Sequence, residues 1–205
     1  MRITIIGAGN VGQALGSGWR KAGHDVTYAL RSTSGESADR MRGDGFSVVE
    51  VGEAASADLI VLAVPWQAVA DTFEATGTLA GKIVVDATNP LTASLDLALG
   101  FDDSAGETVA RLTPGARLVK AFNTTGAGNM AEAGAFESRP MMPIAGDDAE
   151  AKAVVGKLAE DLGFEAVDAG PLKASRLLEP LAAFWIRQAY AQGFGLNFAF
   201  SVVRR

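Results

Sequence analysis

A chain of 205 residues with 48% hydrophobic and 20% charged content has the make-up of a soluble globule built on one core. Its formal charge of −6 lacks the basic footprint of a nucleic-acid binder, so an anionic ligand has to be attracted by local dipoles and a few arginines. The absence of cysteine excludes disulfides, thiolate catalysis and thiolate metal sites, and no apolar run reaches the roughly 18 residues of a spanning helix.

Ile3 to Ile6 is a short unbroken apolar run, the pattern of a parallel strand covered on both faces. Gly7-Ala8-Gly9-Asn10-Val11-Gly12 follows it at once and opens a helix in which Val11, Leu15 and Trp19 recur on one face. In that G-x-G-x-x-G spacing Gly7 turns the chain out of the strand, Gly9 admits a pyrophosphate to the backbone, and Gly12 lets helix and sheet approach. Ala8, Asn10 and Val11 complete the turn, whose free N–H groups and helix dipole favour an anion. Gly23 stops the helix before a second strand, Asp25–Leu30. Where an NAD site carries an acidic residue for the ribose hydroxyl, this chain has Arg31, followed by Ser32, Thr33 and Ser34. A guanidinium fork with hydroxyls and no carboxylate in that run predicts NADP(H), held at Gly7 to Gly12, Arg31 and Ser32.

Further strands are expected at Phe46–Val49, Leu59–Val64, Ile83–Asp86 and Arg117–Phe122, with helices between them and a capping box at Ser104 and Glu107. Six such strands predict an α/β fold of the Rossmann, doubly wound type, a mostly parallel sheet with helices on both faces. Beyond Pro140 a strand at Met142–Ala145, a helix from Asp148 to Leu162 and a strand at Phe164–Val167 extend the sheet in a small C-terminal α/β segment. The chain therefore reads as one domain: a dinucleotide-binding core over 1–139 and an extension over 140–205 that completes an acceptor site and a dimer interface. A last helix is expected over Ser175–Ala191. The tail from Gly193 to Val203 alternates apolar residues strictly and reads equally as an edge strand or a buried irregular segment.

Ligands in doubly wound folds lie over the carboxyl ends of the strands, which singles out Val64 and Pro65, Asn89, Ala121 and Asn123, and Gly146-Asp147-Asp148. Asn89 and Asn123 are candidate polar contacts to nicotinamide or substrate, and Lys120 with Asn123 is the candidate catalytic pair of a carbonyl or imine reductase. Lys120 otherwise reaches solvent or pairs with Asp168. His24, the only histidine, falls in a turn and reads as solvated.

The Gly7-to-Gly12 loop, Arg31, Val64-Pro65-Trp66, Ile83-Val84-Val85, Pro143 to Asp148, and Asp168-Ala169-Gly170-Pro171-Leu172 with Ser175-Arg176-Leu177 resemble the NADPH:F420 oxidoreductase family along nearly the whole chain. Val119 to Thr124 departs from the archaeal members, which carry histidine there, and looks more like the reductase domain of the STEAP metalloreductases. The resemblance implies an enzyme that passes hydride between NADPH and coenzyme F420, FMN or FAD, in a cytoplasmic homodimer without nucleic-acid or membrane partners. Its acceptor pocket would be built from the loops after strands 4 to 6, the Gly170–Leu172 turn and the aromatic tail. Such transfer needs stacked rings and little acid–base help, in keeping with the scarcity of candidate acids. A non-catalytic NADP(H)-binding redox sensor is a further alternative. No metal site is expected.

Overall fold

Residues in each inner strand alternate between two separate cores. In the computed structural model, which describes residues 1–205, Ile3 and Ile5 of β1 (Arg2–Ile6) pack on one face while Ile6 packs on the other. β4 (Leu59–Leu62), β5 (Ile83–Asp86) and β6 (Arg117–Lys120) divide in the same way: Leu59, Val61, Val85 and Val119 face the first core, Ile60, Leu62, Val84 and Leu118 the second. Both faces are apolar because both are covered by helices. Leu15 and Trp19 of α1 (Asn10–Lys21), Met41 of α2 (Glu36–Gly43) and Leu158 of α6 (Ala149–Asp161) cover the first. Phe73 of α3 (Val69–Thr76) and Val109 of α4 (Ala105–Leu112) cover the second.

With β2 (Asp25–Leu30), β3 (Ser47–Glu50), β7 (Met141–Gly146) and β8 (Glu165–Gly170) the sheet has eight strands in the order β3-β2-β1-β4-β5-β6-β7-β8. The first six are parallel, β7 runs antiparallel to β6, and β8 is parallel to β7. This is the doubly wound α/β architecture with a C-terminal extension. In the connection after β6, α5 (Ala127–Ala131) packs against α1 and does not cross the sheet, so the chain enters β7 from the carboxyl edge.

That reversal removes two segments from the expected site. Gly146–Asp148 follows a strand of opposite sense and lies where β6 begins, with Asp148 bound to Arg117 at 2.5 and 2.7 Å. The Gly170–Leu172 turn joins it there, the Leu172 N–H donating to Asp147 at 2.9 Å. β4 ends at Leu62 and β6 at Lys120, each two residues earlier than expected. β6 stops because Phe122, fully buried, adopts a φ of 59°. A bulky residue in that region cannot continue a strand.

The tail beyond α7 (Ser175–Ala191) is irregular, not a strand. Gly193 and Gly195 take φ values of 77° and 71°, and side chains capture the carbonyls that a ladder would use. Asn129 donates to Leu196 and Phe198 at 3.0 and 2.7 Å, and the Trp185 indole donates to Phe198 at 2.9 Å. Phe198 stacks on Trp185, whereas Phe194 and Leu196 remain exposed. No helix is long and apolar enough to cross a membrane.

Candidate functional site

At the carboxyl edge of β1, β2 and β4 a cleft of about 620 Å³ opens between the glycine loop, Arg31 to Arg40, and Ala63 to Pro65. The volume lies within the usual range of ligand sites. Gly7 has a φ of 108°, and a Cβ there would enter the Ala63 carbonyl. At Gly12 a Cβ would collide with the Gly7 carbonyl oxygen, so helix and loop approach only without a side chain. Gly9 has open space where its Cβ would stand and lines the cleft. The buried Tyr28 hydroxyl donates to the Gly12 carbonyl at 2.9 Å, and burial pushes its pKa upward. No side chain caps the N-terminus of α1, so the first-turn N–H groups and the dipole are available to an anion. These features fit a pyrophosphate.

Of the expected cofactor residues, Gly7, Ala8, Gly9, Arg31, Ser32, Val64 and Pro65 line the cleft. Asn10 and Val11 begin α1 beside it, and Gly12 is buried behind the loop. Sequence reasoning overlooked Arg40, which also lines the cleft and donates to the Ala8 carbonyl at 3.5 Å. Neither Arg31 nor Arg40 belongs to any ion pair of the chain, leaving two guanidinium groups free at one end. Glu36, in the first turn of α2, lines the same cleft and brings a carboxylate that the run from Arg31 to Ser34 lacks. The i, i+4 spacing of Glu36 and Arg40 was the available signal, since it puts both on one face of a helix starting at the loop.

The loops after β5 and β6 meet farther along the carboxyl edge. Asn89 Nδ2 donates to the Asn123 carbonyl at 2.8 Å, and Asn123 Nδ2 donates to Asn89 Oδ1 at 3.0 Å and to the Leu178 carbonyl at 3.2 Å. Asn89 is half-buried and Asn123 buried, and neither lines the cleft. Asn123 Oδ1 is a buried acceptor without a partner. Ala121 is wholly inside the first core and does not line the cleft.

Lys120 reaches neither solvent nor Asp168, which pairs with Lys152 at 2.7 Å. Its ammonium is fully buried and bound by Asp86 at 2.9 Å, the Thr88 carbonyl at 2.6 Å and Glu179 at 3.1 Å. An ammonium has three donors, and three acceptors surround this one. Two donated hydrogen bonds, the ion pair with Glu179 and full burial keep this ammonium away from a substrate in the cleft. His24 is not a solvated turn residue either: half-buried before β2, at the opposite edge of the sheet, it binds Asp161 through Nε2 at 3.0 Å. Lys157, with a smaller contribution from His24, holds the Asp161 carboxyl below its usual range. Ser104 caps α4 as expected, accepting from the Glu107 N–H at 3.1 Å. The Glu107 carboxylate turns to Arg176 at 2.7 Å, tying α4 to α7 and lowering the carboxyl pKa.

Residues 2–90 match the family model described as NADP oxidoreductase, coenzyme F420-dependent. The F420-dependent NADP reductase of Methanothermobacter thermautotrophicus is 30% identical over 211 residues, covering 91% of this chain and 88% of that protein. Metalloreductase STEAP3 of Rattus norvegicus is 30% identical over 184 residues; the match covers 88% of this chain and only 36% of that longer protein. Among solved structures, one from Arthrobacter sp. FB24, provisionally assigned as an F420-dependent NADP reductase, superposes with a TM-score of 0.88. It is 31% identical and the match covers 98% of this chain and 99% of that one. A reductive aminase from Aspergillus terreus, solved with NADPH, has a TM-score of 0.70 at 19% identity over 93% of this chain and 63% of that one, a likeness of fold alone.

Proposed function

The chain belongs to the coenzyme F420-dependent NADP oxidoreductase family, and from that premise we propose that it transfers hydride between NADPH and a deazaflavin or flavin ring. NADPH supplies the hydride. The first turn of α1 and Gly9 hold the pyrophosphate, and Arg31 and Arg40, with Ser32, hold the 2′-phosphate. Val64 and Pro65 border the crevice, and Asn89, on the loop after the neighbouring strand β5, is assigned to the carboxamide of the nicotinamide.

The observation that carries this reading is the engagement of Lys120 by three acceptors at the end of β6. Reduction of a carbonyl or imine calls for a proton donor beside the reacting atom, and the candidate lysine at this end is fully buried, hydrogen-bonded to Asp86 and Thr88 and ion-paired with Glu179. Hydride transfer between two stacked rings makes no such demand; it needs orientation and exclusion of water. The exposed Leu177, Phe184 and Tyr190 on α7 support a homodimer in which these side chains are covered.

The test is NADPH oxidation followed by absorbance with coenzyme F420, FMN, FAD, riboflavin or a cyclic imine. Turnover with F420 or a flavin, and none with the imine, is expected. Turnover with the imine alone would make the enzyme an imine reductase, and NADPH binding without turnover would make the protein a sensor.

A further inference from the structure

We propose that Lys120 is a positioning residue, which ties the loop after β5 to α7 and thereby sets the Asn89 amide beyond the Val64–Pro65 end of the cleft, where the nicotinamide would lie. The inference rests on the reading of that cleft as the NADPH site. Asp86 and Lys120 are paired in register at the ends of neighbouring parallel strands, and Glu179 reaches them from the first half of α7. All three side chains are at most 1% exposed. Burying three charges is expensive unless every polar atom is engaged.

Here every polar atom is engaged. Asp86 Oδ1 accepts from the N–H and hydroxyl of Thr88 at 2.9 and 2.7 Å, and its Oδ2 accepts from Lys120. Glu179 accepts from the N–H groups of Ala105 and Gly106 at 2.9 and 3.1 Å, the first turn of α4, where a helix dipole favours negative charge. Two carboxylates and one ammonium leave one net negative charge, which that helix terminus faces. Asp86 on β5, Lys120 on β6 and Glu179 on α7 are the charged groups of the cluster, and the backbone donors of α4 complete its surroundings.

The route to the site is short. Lys120 holds the Thr88 carbonyl, the next residue is Asn89, and Asn89 exchanges hydrogen bonds with Asn123. Asn123 in turn donates to the carbonyl of Leu178, the neighbour of Glu179. One ammonium thus closes a ring of contacts among β5, β6 and α7, and the one member of the ring that is not buried is Asn89. At the far end of the cleft Arg31, Arg40 and the glycine loop make no contact with this ring.

The experiment compares Lys120→Met with the wild type in binding NADPH and adenosine 2′,5′-bisphosphate, which spans the Arg31 end alone. Lys120→Met is expected to weaken NADPH about 5- to 20-fold and the bisphosphate less than about twofold, the scale of removing a single hydrogen bond at one end of the cofactor. In a cycle with Asn89→Ala the two losses for NADPH should not add. Equal loss for both ligands, no loss for either, or additive losses would overturn the inference. Since Lys120→Met leaves two buried carboxylates without their cation, Lys120→Met with Glu179→Gln removes one charge of each sign and is held to the same criteria.

Hydrogen exchange in the unliganded double variant gives a reading that does not depend on which cofactor binds. Protection should fall at residues 87–91 and 121–126 and persist at the glycine loop; loss spread through the whole sheet would refute a positioning role. Turnover assays with the wild type judge the proposed reaction separately, because neither binding nor exchange involves an acceptor.

Discussion

Replacing Arg31 with alanine tests the phosphate end of the cleft most directly. A charge-assisted hydrogen bond contributes ~1.5–3 kcal/mol, and each ~1.4 kcal/mol is a factor of ten in affinity. Arg31 is exposed in an open cleft, where solvent and salt with a Debye length of about 8 Å weaken the interaction, so the lower end of that range applies. Arg31→Ala should therefore weaken NADPH about 10- to 30-fold at physiological salt and leave NADH within about twofold. Arg40, near the Ala8 carbonyl, shares the phosphate at longer reach, and Arg40→Ala should cost about 3- to 10-fold. Glu36→Gln removes the opposing carboxylate of the cleft and should tighten NADPH by about twofold. Titration of cofactor fluorescence with both nucleotides at two salt concentrations gives the comparison. Equal losses for NADPH and NADH, or an NADPH loss independent of salt, would refute the assignment of Arg31 to the 2′-phosphate.

Three further outcomes follow from packing and charge. Gly9→Ala meets open space and should fold with an unchanged Tm while losing NADPH, whereas Gly12→Ala strikes the Gly7 carbonyl and should destabilise by at least about 1–3 kcal/mol; thermal melts with and without NADPH separate the two. Arg176 holds the Glu107 carboxyl below its ordinary value of 4.5, so the stability it brings is complete above that pH and is lost as pH falls through the lower folded value. Arg176→Leu should lower Tm by about 2–5 °C at pH 7 and flatten its decline between pH 5 and 3, and an unchanged acid slope would contradict the coupling. Phe184, 52% exposed, should lie within the covered face of a homodimer; Phe184→Asp should yield a monomer in analytical ultracentrifugation, and a wild-type monomer would exclude the dimer.

The elements most legible in the sequence are those whose signals are local. Ile3 to Ile6 declares a strand covered on both faces, and Gly7, Gly9 and Gly12 declare the turn by their spacing within six residues, although the steric demand for glycine at Gly7 comes from Ala63, far along the chain. Asp25–Leu30 and Arg31 follow directly, since a strand's end puts the next residue at the carboxyl edge. Ser104 was visible as a cap for the same reason, a hydrogen bond three residues long. Arg40 was legible only with the start of α2 in hand, because it depends on a helical face meeting a loop.

Tertiary structure decided the rest, through contacts between residues far apart in the chain. The direction of β7 depends on how the connection after β6 packs, and that direction moves Asp147 and Asp148 away from the cleft. The tail alternates like a strand, yet the carbonyls of Leu196 and Phe198 go to Asn129 and Trp185, and only Phe200 accepts from β7, through Met141. Lys120 shows the division most plainly. Its place at the end of β6 was readable from the apolar run before it, but its chemistry was not. Asp86 and Glu179 lie 34 and 59 positions away along the chain, and only the fold brings them within 3.1 Å of the ammonium and converts a candidate acid into a fully engaged cation.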